Sequence, residues 1–282
     1  MAAGILLREI LTILDGIAAF TLAESWDNVG LLVGDPEQEV SGILVALDPT
    51  EDLLDEAIAS GANTIITHHP LIFKPLKAVR TDESIGRFLC KALNNRMAVI
   101  GCHTNLDVVA GGVSDVLARD LGMIDIMPLV TGKEIRGLEA TAGDSIGFGR
   151  IGKLKEAIPA AVFFDQLLEV LKIPAANIAG KFPEKINRFA VCGGSGSDLA
   201  ETAFSSGAQV FITGEVKHSV ARWAEANGHC VIDAGHFATE NIVVPVIAAT
   251  LKKQLEANSI RISVKVASDQ KGPFQLYLKN SH

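Results

Sequence analysis

The sequence predicts an α/β protein of two similar lobes, with mostly parallel sheets facing each other around a central metal-binding crevice. Three observations carry that expectation. Apolar runs of strand length alternate with helical stripes, one β-α-β unit recurs in the second half, and histidines and acids collect at corresponding strand ends.

The opening MAAGILLREILTILDGIAAF is apolar but is interrupted by Arg8, Glu9 and Asp15. It lacks a basic leader and an unbroken apolar core, so it reads as an amphipathic helix rather than a signal peptide. In SWDNVGLLVGD, Gly30 and Gly34 bracket a short strand, and SGILVALDP is a buried strand ended by Pro49. DLLDEAIASG places Leu53, Leu54, Ala57 and Ile58 on one helical stripe, with Gly61 as its stop. ANTIITHHP is a strand, SIGRFLCKALNNR a helix, MAVIGCH a strand and GGVSDVLARDLGM a helix. This gives a first lobe over 1–123. Residues 124–180, with glycine-rich GDSIGFGRIGKL and the helical VFFDQLLEVLK, read as a central segment, either a small subdomain or a connection. Residues 181–282 read as the second lobe.

The two lobes are related by repeat. ILVALDPTEDLLDEAIASGANTIITHH (43–69) lies over FAVCGGSGSDLAETAFSSGAQVFITGE (189–215) without a gap, and nine of 27 positions are identical. Any two β-α-β units share an apolar pattern, but the common Ser-Gly-Ala followed by a strand ending in Ile-Thr exceeds it. After its next strand each half has a histidine and, four residues later, an acid: His103 and Asp107 in VIGCHTNLD, His236 and Glu240 in VIDAGHFATE.

Composition excludes several classes. At 48% hydrophobic and 21% charged the chain is an ordinary globular protein. A net charge of −8 argues against sequence-independent nucleic-acid binding, although a bound cation can still invite an anionic substrate. Cys90, Cys102, Cys192 and Cys230 form no C-x-x-C pair, which fits a reducing cytoplasm and neither a disulfide framework nor a thiolate zinc site. No stretch reaches the ~18 apolar residues of a membrane span.

A lone histidine is usually a satisfied core or surface residue. Here four of seven histidines, with two acids, fall at equivalent strand ends, and N and O donors of this kind suit Zn, Fe, Mn or Co. His68, His69, Asp107, His236 and Glu240 offer five groups, enough for two divalent ions ~3.5–4 Å apart with a carboxylate between them, a pairing that activates water. His103 is a sixth ligand, an outer partner, a general acid or only a turn cap. CGGSGSD (192–198) is either a phosphate cradle or a tight strand-to-helix turn. Glu215, Lys217 and His218 in TGEVKH are candidates for substrate contact or proton transfer, with a solvated loop the plainer reading of Lys217. Trp26, Asp27 and Asn28 are either crevice residues or a capped turn.

The stretches WDNVGLLVGD (26–35), ITHHPLIF (66–73), HTNLD (103–107), GGSGSD (193–198), TGEVKH (213–218) and DAGHFATE (233–240) resemble the NGG-one interacting factor three family, also called GTP cyclohydrolase type-2 homologues. The resemblance runs from near residue 5 to about residue 256. It implies two lobes around a dinuclear metal centre held by His68, His69, Asp107, His236 and a bridging Glu240, with His103 beside it. It also implies a ring-shaped homohexamer. Relatives with a large inserted middle domain differ from this chain, whose 124–180 segment is too short for one.

The expected function is that of a metal-dependent hydrolase of a small nucleotide-like or phosphorylated molecule, with His103 or His218 moving protons and Glu215 as a further catalytic candidate. The competing expectation is a non-enzymatic metal-handling or regulatory protein whose metals organise a ring. A nucleic-acid-processing role ranks third.

Overall fold

The computed structural model describes residues 4–131, 145–268 and 270–277. Two sheets dominate it. Strands β1 (Gly30–Val33), β2 (Ile43–Ala46), β3 (Thr64–Thr67), β4 (Ala98–Gly101) and β11 (Val264–Val266) form a five-stranded sheet in the order β1-β4-β3-β2-β11. Its four central and C-terminal strands are mutually parallel, and β1 closes one edge antiparallel. The second sheet has six strands in the order β5-β6-β8-β9-β10-β7, built from β5 (Ile124–Thr131), β6 (Gly147–Pro159), β7 (Asn177–Gly180), β8 (Lys185–Cys192), β9 (Val210–Thr213) and β10 (Cys230–Asp233). Here β8, β9 and β10 are parallel and the flanking pairings are antiparallel.

The parallel strands β2, β3, β4 and β9 are buried at all four positions, because helices cover both faces of each sheet. In the first lobe, Ile43, Val45 and Ile66 face helix α1 (Leu7–Ile17), whose Leu7, Ile10 and Leu14 are buried, and helix α10 (Val243–Ala257). Leu44, Ala46 and Ile65 face the other way, onto α2 (Glu51–Ala59) and α3 (Ser84–Asn94). Thr50 caps α2 by accepting the Leu53 N–H at 3.1 Å, and Glu51 and Asp52 suit its positive end. In the second lobe, Phe189, Val191 and Ile212 pack on α6 (Ala160–Leu171), while Ala190 and Phe211 meet α7 (Ala200–Ser205) and α8 (His218–Asn227).

The repeat is carried in the pairing. Ile43 to Ala46 face Thr64 to Thr67 in the same register in which Phe189 to Cys192 face Val210 to Thr213, each residue displaced by the same interval. The chain is nevertheless not divided into consecutive lobes with a separate connection. Residues 124–180 supply β5, β6, α6 and β7 to the second lobe, and α10 and β11 return to the first. A strand finds its partner through long-range pairing, which local periodicity does not encode.

Candidate metal centre

Six parallel strands present their carboxyl ends to one crevice, the position where open α/β sheets bind ligands. His68 and His69 follow β3 directly, Asp107 lies in the short helix α4 (Thr104–Val108) after β4, and His236 and Glu240 open and nearly close helix α9 (His236–Asn241) after β10. Their spacing of four on α9 brings His236 Nε2 within 3.0 Å of Glu240 Oε2. His69 Nε2 lies 2.9 Å from the same oxygen, and 3.3 Å from His236 Nε2. His68 Nε2 stands 3.7 Å from Glu240 Oε1 and 3.6 Å from Asp107 Oδ1. Two groups of donors thus share His69. His69, His236 and Glu240 form one and His68, His69 and His103 the other, with donor atoms within 4.8 Å of one another in each.

Every imidazole is oriented by its other nitrogen. Nδ1 of His68 meets the Cys102 carbonyl oxygen at 2.9 Å, Nδ1 of His69 meets Asp48 at 2.7 Å, Nδ1 of His236 meets Glu215 at 2.8 Å, and Nδ1 of His103 meets Asp27 at 2.9 Å. A proton donated there leaves the Nε2 lone pair free, the usual arrangement behind a metal-binding histidine. Asp27 also accepts from the Thr104 N–H and hydroxyl, at 3.0 and 2.6 Å, and Glu215 accepts from Ser195 Oγ at 2.7 Å.

The charges show how tightly these groups are set. Burial would lower the His69 imidazole, but Asp48 and Glu240 raise it to about 10. Glu240 raises His236 to about 9. Burial opposes the charge of Glu240 itself, yet His236, His68 and His69 hold its carboxyl well below the ordinary range. Burial pushes the Asp107 carboxyl up, only partly countered by His68. Asp27 is likewise opposed by burial, and its bonds from His103 and Thr104 still hold it low.

These residues fit a divalent cation. His68 Nε2 and Glu240 Oε2 are buried and have no hydrogen-bond partner, although other donor atoms stand close by. Short contacts without hydrogen-bond alignment are what ligand atoms on one ion require. With bonds of about 2.0–2.1 Å, the edge of a tetrahedron is about 3.3 Å and that of an octahedron about 2.9 Å, the range spanned by the His69, His236 and Glu240 contacts.

Glycines allow this close approach. A Cβ on Gly194 would fall 1.9 Å from Glu240 Oε1, and its φ of +61° is itself unfavourable to other residues. The glycine-rich turn serves the carboxylate and is not arranged as a phosphate cradle. Its Gly193, Gly194 and Gly196 N–H groups are taken by the hydroxyls of Ser114, Thr239 and Thr213, at 3.3, 3.1 and 2.9 Å.

Glu215 therefore sits behind His236. His218 is exposed at the start of α8, outside both donor groups, and Lys217 pairs with Asp198 in solvent. Asp48 and Asp27 are the residues that the sequence reading missed or left open. Asp48 was legible as the one acid at the end of β2.

The halves are also offset. Thr67 pairs with Gly101 and Thr213 with Asp233, so His103 lies two residues beyond its strand's last pair and His236 three. The extra residue is Gly235, at φ +84°.

Fold and site together define a two-lobed α/β protein with a histidine–carboxylate centre able to hold a metal ion. The chain belongs to the Duf34/NIF3 (NGG1p interacting factor 3) family, whose model matches residues 5–273. It is 35% identical over 269 residues to a Clostridium acetobutylicum protein named GTP cyclohydrolase 1 type 2 homolog, spanning 95% of this chain and 97% of that one. A solved Staphylococcus aureus protein superposes with a TM-score of 0.89 at 30% identity, covering 97% of this chain and 99% of that one. A Bacillus cereus protein related to NIF3 follows at 0.87 and 25%, covering 98% and 100%.

Proposed function

We propose that this chain is a dinuclear metal-dependent hydrolase of a small nucleotide-like or phosphorylated substrate. The observation that carries the reading is Glu240, whose Oε2 lies 2.9 and 3.0 Å from His69 and His236 and whose Oε1 lies 3.7 Å from His68, with buried lone-pair atoms of His68 and Glu240 left unsatisfied. His68, His69, Asp107, His236 and Glu240 would hold two ions, drawn from Zn, Fe, Mn or Co, with Glu240 between them. Such ions supply Lewis acidity and make water acidic enough to ionise near neutral pH.

The chain's own groups do the rest. Asp48, Glu215 and the Cys102 carbonyl oxygen hold the imidazole tautomers that direct Nε2 inward. We assign proton transfer to Nε2 of His103, which Asp27 keeps oriented; its place in the histidine group favours it over the exposed His218. Glu215 acts by positioning His236. The name GTP cyclohydrolase 1 type 2 homolog, borne by relatives, supports a purine nucleotide as substrate.

No helix is long and apolar enough to cross a membrane among the described residues. The four free cysteines support a reducing cytoplasm, and the assembly we propose is a homohexamer, tested by light scattering.

Elemental analysis of protein purified without chelator tests the centre. About two metals per chain are expected, lost in His68→Ala and Glu240→Ala, together with hydrolysis of nucleotides or phosphoesters. Metal without turnover of any such compound would leave the non-enzymatic metal-handling reading in its place.

A further inference from the structure

Three aromatic rings meet at the rim of the centre. Trp26 and Phe73 lie edge-to-face at 5.8 Å, and each approaches the His103 ring, at 6.2 and 6.1 Å. His103 is mostly covered, but Trp26 is 58% exposed and Phe73 45%. Single exposed aromatics need no explanation, whereas a cluster continuous with a polar site does.

The display is built, and the WDN stretch builds it. Asp27 turns inward with a fully buried side chain to hold His103 and Thr104. Asn28 donates from Nδ2 to the Ile72 carbonyl oxygen at 2.6 Å, which ties this turn to the loop that carries Phe73. Trp26 is left projecting beside this anchored pair, so less of the turn has to be ordered on binding. Lys74 and Lys77 follow Phe73 on the same exposed loop, and neither has an ion-pair partner among the described residues.

We infer that Trp26 and Phe73 form a stacking platform for the base of a nucleotide, whose phosphate meets Lys74 or Lys77 and whose reacting part reaches the metal centre past His103. A planar heteroaromatic ring matches exposed aromatic faces, and such stacking tolerates any base. Lys74 and Lys77 offer such an anion a partner on a chain of net charge −8. The inference deepens the hydrolase reading and rests on it for the direction in which the substrate points.

Trp26 and Trp223 are the two tryptophans, so Trp223→Phe leaves Trp26 as sole reporter. Guanosine monophosphate should quench its emission saturably, and ribose 5-phosphate at equal concentration should not. By equilibrium dialysis, the Trp26→Ala/Phe73→Ala variant should bind the nucleotide roughly tenfold or more weakly, with metal content unchanged and Trp26→Tyr restoring affinity. Equal binding of ribose 5-phosphate, or unchanged nucleotide affinity in the double variant, overturns the platform. A double variant that changes oligomeric size while binding the nucleotide normally assigns the rings to contacts between copies and overturns it too. Nucleotide stacked on Trp26 but never hydrolysed would sustain the platform and sink the hydrolase reading. Hydrolysis that the double variant leaves untouched would do the reverse.

Discussion

Arg150, near the start of β6, is wholly buried and forms an ion pair with Asp115 of helix α5 (Val113–Asp120), while two of its nitrogens reach backbone carbonyls. Nη2 donates to Val109 at 3.0 Å and Val108 at 3.3 Å, and Nη1 to Gly147 and Gly149 at 2.6 and 2.7 Å. The second lobe thus grips the turn just after Asp107. Removing the guanidinium leaves Asp115 only Arg119 and the Gly111 N–H, and strands several carbonyls away from water. Arg150→Met is expected to cost about 3–5 kcal/mol, read as a lowered urea midpoint, and to loosen metal retention through Asp107.

Asp48 and Glu215 are half exposed and contribute little to the core, yet each holds a histidine from behind. Asp48→Asn and Glu215→Gln should each weaken metal binding by roughly 10–100-fold. Thermal stability of the metal-free protein should move much less than affinity does. Competition against a chelator of known affinity measures the loss, and unchanged affinity in both variants would refute the orienting role.

Acid–base linkage has a definite sign. With His69 near 10 and His236 near 9, both above the ~6.5 of a free imidazole, the metal-free site carries protons at pH 7 that a cation must expel. Metal affinity should therefore climb between pH 7 and about 10, with proton release visible by calorimetry in buffers of different ionisation enthalpy. The same raised values stabilise the metal-free fold fully below about pH 6.5, and that contribution fades as pH rises through 9 and 10. The melting temperature of chelator-treated protein should fall over that window more steeply than that of the metal-loaded form.

Two glycines separate backbone strain from site crowding. Gly228 ends α8 at φ +69° with open space around its Cβ position, and Gly228→Ala should cost about 1–2 kcal/mol without touching metal content. Gly194→Ala adds a methyl against Glu240 and should empty the site. Equal metal content in the two purified variants would refute the argument that the glycine turn exists for the carboxylate.

Much of this was legible in the chain. The apolar runs at 43–46, 64–67 and 98–101 are buried on both faces, so their composition alone marks them as strands, and the repeat foretold a second set in the same register. His68, His69, His236 and Glu240 were readable because donors at strand ends have few structural reasons to cluster. The antiparallel flanks β5, β6 and β7 were not, since their partners lie far away in sequence. Asp48 escaped notice and the role of Asp27 stayed open, because an acid at a turn is ordinary until the ring it orients is seen beside it.

The second sheet is complete within residues 124–233, whereas the first awaits α10 and β11 near the end of the chain. During synthesis, the lobe begun first is thus finished last. A polypeptide halted after residue 242 would keep all six strands of one sheet but lose Val243, Ile247 and Leu251 from the core beneath the other. His68, His69 and Asp107 would then hang from an unfinished framework. A centre drawing donors from both lobes therefore assembles only on a chain translated through to its last strand.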